Sequence, residues 1–195
     1  MDQPRRLVLA SGSRYRKALL GRLGLRFEAV PPEVDESPLP SESPPDTALR
    51  LSVLKARALA TSHPDALIIG CDQVASSGGR RYGKPGSHDK AAQQLRELSG
   101  RSADFDTAVS LLDARSADLQ SRLVPCRVTF RALDERRIQA YLEKEKPYDC
   151  AAAAKAEGIG ISLIARIETE DPSALIGLPL IALSEMLERA GMPVL

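Results

Sequence analysis

The stretch that most constrains this fold is Ala66–Val74, ALIIGCDQV, an apolar run that is unbroken until it closes on an aspartate. A run without polar alternation has to be buried on both faces, which describes a central strand of an α/β sheet. Its acid then falls at the carboxyl end of the strand, where open α/β sheets bind their ligands. A carboxylate so placed is costly unless it is solvated, paired or bound to a cation, so Asp72 is the first candidate for chemistry. Taken alone, the residue leaves a turn-capping role open as well.

The flanking segments complete the α/β reading. Leu7–Ala10 reads as a short buried strand, followed by the small-residue turn Ser11-Gly12-Ser13 and a helix over 14–24 with Leu19, Leu20 and Leu23 on one face. FEAVPPEV (27–34) reads as a second strand, and PLPSESPPD, with four prolines, as an exposed loop. Asp46 is placed to cap a helix over 47–60 whose apolar stripe is Leu51, Leu54, Ala58 and Leu59. GGRRYGKP (78–85) is a Gly-rich, hairpin-like turn, and 89–100 is a helix that Gly100 closes.

FDTAVSLLD (105–113) and RLVPCRVTFRAL (122–133) alternate as antiparallel neighbours joined by 114–121. A charged helix follows from Asp134 to 146, then a Gly-punctuated strand over 158–168 and an amphipathic helix over 178–191 ended by Gly191. With no internal repeat and no linker, the expectation is one domain over 1–195, α/β with a single mixed sheet. At 195 residues and 43% hydrophobic content the chain can close a sizeable core.

Charge and cysteine usage exclude several classes of function. Lys and Arg nearly balance Asp and Glu, to a net +1, so no electrostatic footprint of a nucleic-acid or membrane-surface binder exists, and an anionic ligand must be met locally. Cys71, Cys126 and Cys150 lack CxxC spacing, which argues against a disulfide framework and a zinc site and for a reducing cytoplasm. Leu7–Ala10 is too short for a signal-peptide core, and no 18-residue apolar stretch is found, so neither secretion nor membrane spanning is expected.

Motif elimination narrows the chemistry further. GxxxxGK[ST], HExxH, GxSxG and a GxGxxG at a strand–helix junction are all missing. His63, in a turn, and His88, near a helix start, read as surface residues. Carboxylates, lysines and a metal remain. Glu33, Asp35 and Glu36 crowd PPEVDE, which suits a hard divalent cation shared with phosphates, or simply a solvated acidic loop. Ser11-Gly12-Ser13 precedes a helix carrying Arg16 and Lys17, a place where free N–H groups and the helix dipole favour phosphate. Lys84, between Gly83 and Pro85, can hold an ammonium near phosphates or stand in solvent.

Seven segments, in order and over essentially the whole chain, are similar to the Maf family of nucleotide pyrophosphatases: LASGSRYRKALL, PPEVDE, LKARALA, IIGCDQV, GKP, the helix ending LSG, and AAAAKAEGIGISL followed by GLPL. The resemblance implies an ITPase-like α/β fold with a cleft between two lobes, a divalent cation (magnesium or manganese), and cleavage of a nucleoside triphosphate between its α and β phosphates. It implies that Asp72 positions or deprotonates the attacking water beside the metal, with Glu33 as a second acid there. Base and metal-ligand roles both demand a carboxylate at this strand end, so they stay undivided. Ser11, Arg16, Lys55 and Lys84 match positions that hold the triphosphate and neutralise the leaving group. A homodimer is implied by the resemblance alone.

Tyr15, Gln73 and Glu157 resemble the branch of the family that acts on 7-methyl-GTP, whereas the branch acting on dTTP and UTP usually has Arg, Thr and Gln there. A carboxylate at 157 accepts from the N1–H and exocyclic amine of guanine and repels uracil oxygens. Methylation at N7 makes the base cationic, which suits a cation–π contact with Tyr15 worth roughly 0.5–2 kcal/mol. Arg14 and Lys17 stand where Pro and Arg are commoner, Ala152-Ala153-Ala154 where a Gly-Ser-aromatic run is common, and Asp106 and Ala108 also depart from the family's pattern. The expected activity is house-cleaning hydrolysis of 7-methyl-GTP. Beside it stand a dTTP/UTP or broader pyrophosphatase, and a nucleotide-binding regulator of septum formation and cell division.

Overall fold

Pairing follows the periodicity of the strands. In the computed structural model, which describes residues 5–195, β1 (Leu7–Ala10) runs parallel to β2 (Glu28–Ala29) and to β3 (Leu67–Ser77), with Leu7 opposite Leu67 and Ala10 opposite Gly70. β3 turns back onto the antiparallel β4 (Arg80–Tyr82). β5 (Ser102–Asp113), β6 (Leu119–Phe130) and β7 (Ile164–Thr169) complete a seven-stranded mixed sheet of order β2-β1-β3-β5-β6-β7, with β4 on β3. The helices are α1 (Arg14–Gly21), α2 (Pro44–Ala58), α3 (His88–Leu98), α4 (Glu135–Glu145), α5 (Ser173–Ile176) and α6 (Leu180–Arg189). The expected α/β class with a mixed sheet is what the chain adopts.

The chain divides into two compact units. Unit 1 takes residues 5–73, 107–124 and 171–195, and unit 2 takes 74–106 and 125–170. In unit 1 the period-2 alternation of the strands sorts side chains onto two faces. Leu7, Leu9, Leu67, Ile69 and Cys71 pack with α1 and α6 residues such as Leu19, Leu20 and Leu183. Val8, Ala10, Ala66 and Ile68 pack with Ala56 and Leu59 at the end of α2. Each fully buried Leu or Ile contributes about 1.5–3 kcal/mol. Unit 2 buries Ala91, Ala92, Leu95 and Leu98 of α3 and Ile138, Tyr141 and Leu142 of α4. Its part of β6 alternates, Cys126, Val128 and Phe130 being buried while Pro125 and Arg127 are exposed.

Several boundaries differ from expectation for physical reasons. Helix α2 begins earlier than Asp46: Ser43 is the N-cap, its Oγ accepting from the Asp46 N–H at 3.3 Å, and Pro44 and Pro45 occupy first-turn positions that need no donor. The buried face of α2 is Thr47, Ala48, Leu51, Ser52, Lys55 and Ala56, so Leu54 and Ala58 of the expected stripe are exposed. β2 stops at Ala29, because Pro31 and Pro32 have no N–H to continue the ladder. The strand expected over 158–168 is a 3-10 turn over 159–163 followed by β7 from Ile164. The closing helix falls where expected, as α6, and a further short helix, α5, precedes it and ends at Gly177, whose φ of 121° lies in a region that favours glycine. His63 and His88 are part-buried: His63 Nδ1 lies 3.2 Å from the Leu59 carbonyl, and His88 lies against Tyr148 Oη (3.1 Å) and Gln139 Oε1 (2.7 Å). No helix among the described residues is long and apolar enough to cross a membrane.

Candidate active site

Strand parity decides where Asp72 goes. Ile68 and Gly70 face α2, and Asp72, two residues further on, meets it as well, through Lys55. The approach is close because Gly70 has no side chain: a methyl there would collide with the Ser52 carbonyl and the Ala56 nitrogen. Ser52 Oγ also lies 2.7 Å from Ser110 Oγ of β5, tying the same turn of α2 to the sheet. Lys55, one turn beyond, places Nζ 2.7 Å from Asp72 Oδ1 and 2.8 Å from a Glu36 carboxylate oxygen. Lys55 and Asp72 are 5% and 6% exposed, so this pair is taken almost wholly from water. Burial raises the proton affinity of Asp72, and the ammonium of Lys55 and the guanidinium of Arg16 oppose that rise.

Arg16 is braced by main-chain oxygens on two sides. Its Nε donates to the Gly177 carbonyl at 2.9 Å and its Nη1 to the Cys71 carbonyl at 2.7 Å. Among the described residues nothing bonds its Nη2, which leaves that edge of the fork for an anion. Ser11 is buried at the end of β1, its Oγ accepting from the Ser13 N–H at 3.1 Å, and Ser13 caps α1 through the Arg16 N–H. Cys71 donates to the Gly177 carbonyl, and burial pushes its thiol up to about 11, so it is an inert structural thiol.

Gln73 falls on the opposite face from Asp72, toward α5. Its Nε2 donates to Thr107 Oγ1 (2.9 Å), the Ala174 carbonyl (2.9 Å) and the Leu175 carbonyl (3.1 Å). With its amide hydrogens so occupied, Oε1 is the end left to accept from a ligand. The α5 segment is itself fixed by the buried Asp171, which accepts from the Ser173 N–H at 3.1 Å and the Ile181 N–H at 2.7 Å. Tyr15 is half-buried, with the Arg14 guanidinium 4.8 Å from its ring centroid and Arg14 Nη2 donating to its hydroxyl at 2.7 Å. One face of the ring expected to receive a cationic base thus already carries a guanidinium.

Unit 2 holds the remaining candidates. Lys84 is exposed just past β4, on a segment pinned by Gln94 Nε2 to the Gly83 carbonyl (3.1 Å) and by the Gly86 N–H to the Tyr148 carbonyl (3.0 Å). Glu157 is exposed, and the backbone on either side of it is held by Tyr141 and Glu145 of α4.

Of the three acids in PPEVDE, the structure brings Glu36 to Lys55. Glu33 is exposed and makes no hydrogen bond or ion pair among the described residues, and Asp35 caps its own turn at the Ser37 N–H, at 2.9 Å. Reasoning from sequence also missed Thr107 and Asp171. A buried acid before a short helix is invisible until the partners converge. No group of three or more His, Cys, Asp or Glu side chains forms a metal cage among the described residues. The donor set does fit a hard cation that keeps waters and phosphate oxygens. Asp72 and Glu36 leave a net negative charge around one ammonium, and Asp72 Oδ2 accepts no hydrogen bond from a described residue.

Comparison with known proteins gives a consistent set of similarities. The family described as Maf-like protein matches residues 6–190. The 7-methyl-GTP pyrophosphatase of Cupriavidus pinatubonensis (strain JMP 134 / LMG 1197) is 56% identical over 188 residues, 96% of this chain and 94% of that protein. Those of Thiobacillus denitrificans (strain ATCC 25259 / T1) and Aromatoleum aromaticum (strain DSM 19018 / LMG 30748 / EbN1) are 56% and 52% identical, covering 97% and 96% of this chain and 94% and 96% of theirs. Among solved structures, the Staphylococcus aureus Ham1 protein is similar with a TM-score of 0.46 at 14% identity, over 65% of this chain and 72% of that one.

Proposed function

Because the chain belongs to the Maf family, we propose that it is a nucleoside-triphosphate pyrophosphatase that hydrolyses 7-methyl-GTP to 7-methyl-GMP and diphosphate, clearing a modified nucleotide. The observation that carries this reading is the near-full-length identity of 52–56% to relatives that bear the name 7-methyl-GTP pyrophosphatase. The chemistry of the site supports it. Asp72, within β3 and with one oxygen uncommitted, accepts a proton from water or orients it. Burial raises its proton affinity, which suits a proton acceptor, and Lys55 beside it opposes that rise.

The open edge of Arg16 takes a phosphate oxygen, with Ser11 at the neighbouring turn, and Lys84 is proposed as a phosphate-binding ammonium from its match to the family's pattern alone. A divalent cation, magnesium or manganese, is part of this proposal. Asp72 and Glu36 would hold it, with Glu33 as a further acid of the same loop, and it would supply charge neutralisation for the phosphates. Gln73 meets a ligand as an acceptor and Glu157 as a double acceptor. Both suit the N–H donors of guanine better than the oxygens of uracil.

The test is release of pyrophosphate from 7-methyl-GTP, GTP, dTTP and UTP with magnesium or manganese, and with chelator as control. Selective, chelator-sensitive release from 7-methyl-GTP is expected. Release mainly from dTTP and UTP would keep the enzyme class and overturn the base assignment. Release that persists in chelator would remove the metal from the proposal.

A further inference from the structure

Glu157 lies in a segment with almost no regular structure of its own, between the 3-10 turns at Ala151–Ala153 and Ile159–Leu163. Such a segment does not hold a carboxylate at one place by itself. Its backbone is instead fastened by two side chains one turn apart on α4, Tyr141 and Glu145, which share a helix face. The Tyr141 hydroxyl donates to the Ala153 carbonyl at 2.9 Å and accepts from the Lys155 N–H at 3.2 Å. Glu145 pairs with the Lys155 ammonium and accepts from the Ile159 N–H at 2.9 Å. Residues 153, 155 and 159 are thus all tied to α4, and Glu157 sits in the middle of the fastened stretch.

The fit around the clamp is tight. A methyl at Gly158 would meet the Glu145 carboxylate, and one at Gly160 would meet the Lys155 carbonyl and the Tyr141 hydroxyl, so both glycines are the space in which the clamp closes. Tyr141 is buried, which raises the proton affinity of its phenol and keeps the hydroxyl a donor. The lysine partner holds Glu145 ionised.

We infer that Tyr141 and Glu145 are positioning residues for base selection, holding the segment around Glu157 so that its carboxylate meets the N–H edge of a guanine. This rests on the assignment of Glu157 to base recognition proposed above. Neither side chain touches substrate; each acts through the backbone it holds.

The experiment is a double-mutant cycle on the whole protein, with KM and kcat measured for 7-methyl-GTP and for UTP. Tyr141→Phe keeps the buried ring and removes only the hydroxyl. Glu145→Gln keeps the shape and removes the charge that binds Lys155. Each is expected to raise KM for 7-methyl-GTP about three- to tenfold, as loss of one or two hydrogen bonds does, with kcat and the UTP parameters nearly unchanged.

Glu157→Gln is expected to lower discrimination by itself, and adding Tyr141→Phe to it is then expected to change nothing further, because the hydroxyl works through that carboxylate. A parallel fall in kcat for both nucleotides, or additive effects in the double variant, would overturn the inference. If Glu157→Gln leaves discrimination intact, the base assignment falls and this inference with it. If Glu157→Gln matters and neither clamp variant does, the inference falls alone. Should Tyr141→Phe lose its thermal transition, the isosteric Glu145→Gln carries the same cycle.

Discussion

In unit 1 the acid of interest, Asp72, is 6% exposed and its charge is met by a buried ammonium, whereas in unit 2 Glu157 stands in solvent on a loop whose backbone is held by other side chains. The first arrangement changes what the carboxylate is, through burial and pairing. The second controls where the carboxylate is. That is the division expected between proton or metal chemistry, which needs a tuned group, and base selection, which needs a positioned acceptor.

The largest effects should come from separating stability from activity in unit 1. Asp72→Asn is expected to reduce pyrophosphate release from 7-methyl-GTP by about 10²–10⁴-fold, as for loss of a general base. Since burial raises the proton affinity of Asp72 in the fold, its ionised form is disfavoured there, and the neutral amide removes that penalty. The variant should therefore unfold in urea no earlier than the parent. Lys55→Met has the opposite sign: it leaves Asp72 buried without its cation and should destabilise by about 3 kcal/mol. Equal losses of stability in both variants would contradict the reading of Asp72 as the strained partner.

Within the acidic loop the next contrast is between Glu36 and Glu33. Glu36→Gln is expected to raise the magnesium concentration needed for half-maximal rate by about tenfold or more, while Glu33→Gln has a smaller effect, because only Glu36 shares the Lys55 ammonium with Asp72. Metal titrations of the two variants decide this, and the reverse order would return the metal position to Glu33.

What could be read from the sequence divides along the same line. Strands β1 and β3 and the mixed sheet were legible because an apolar run and its parity act over a few residues, but Asp72 lies within β3 and not at its end, since the strand runs on to Ser77 to pair with β4. Arg16 and Ser11 were legible as a turn before a helix, but the carbonyls that orient Arg16, from Cys71 and Gly177, come from distant parts of the chain. Likewise Lys55 sits on the buried face of α2, which a stripe drawn through Leu54 and Ala58 misplaced, because Gly70 admits the backbone of that helix and not its leucines. The strand expected around Gly158 and Gly160 failed since those glycines make room for Glu145 and Tyr141, a reason that no local pattern carries.

Charge pairing offers a smaller contrast between the units. Arg5 holds Asp113 of unit 1 down at about 2, and Arg96 holds Glu135 of unit 2 at about 2. Asp113 and Arg5 have side chains 22% and 14% exposed, and Glu135 and Arg96 are 55% and 50% exposed. Both acids are depressed below their ordinary values of 3.8 and 4.5, so any stability they lend is complete above those values and is lost as pH falls through about 2. Solvent screens the outer pair. Asp113→Asn is expected to destabilise by about 1 kcal/mol at neutral pH, with the gap to the parent closing near pH 2. Glu135→Gln should be indistinguishable from the parent in urea at physiological salt.

The smallest effect concerns the alanine run of unit 2, where the family more often has glycine. Ala152 sits at φ 57° and Ala153 at φ 50°, in the left-handed region where an alanine is strained by about 1–2 kcal/mol. Ala152→Gly would relieve that strain, but it also removes a fully buried methyl, worth about 0.8 kcal/mol, and adds backbone entropy to the unfolded chain, worth about 0.5–1 kcal/mol. The opposing contributions nearly cancel, so the melting temperature should move by no more than about 3 °C in either direction. Because Tyr141 and Glu145 hold the segment at 153, 155 and 159, the preference for 7-methyl-GTP over UTP should also stay within about twofold of the parent. A large gain in activity on restoring glycine would show instead that the clamp holds Glu157 in a place the alanine run has displaced.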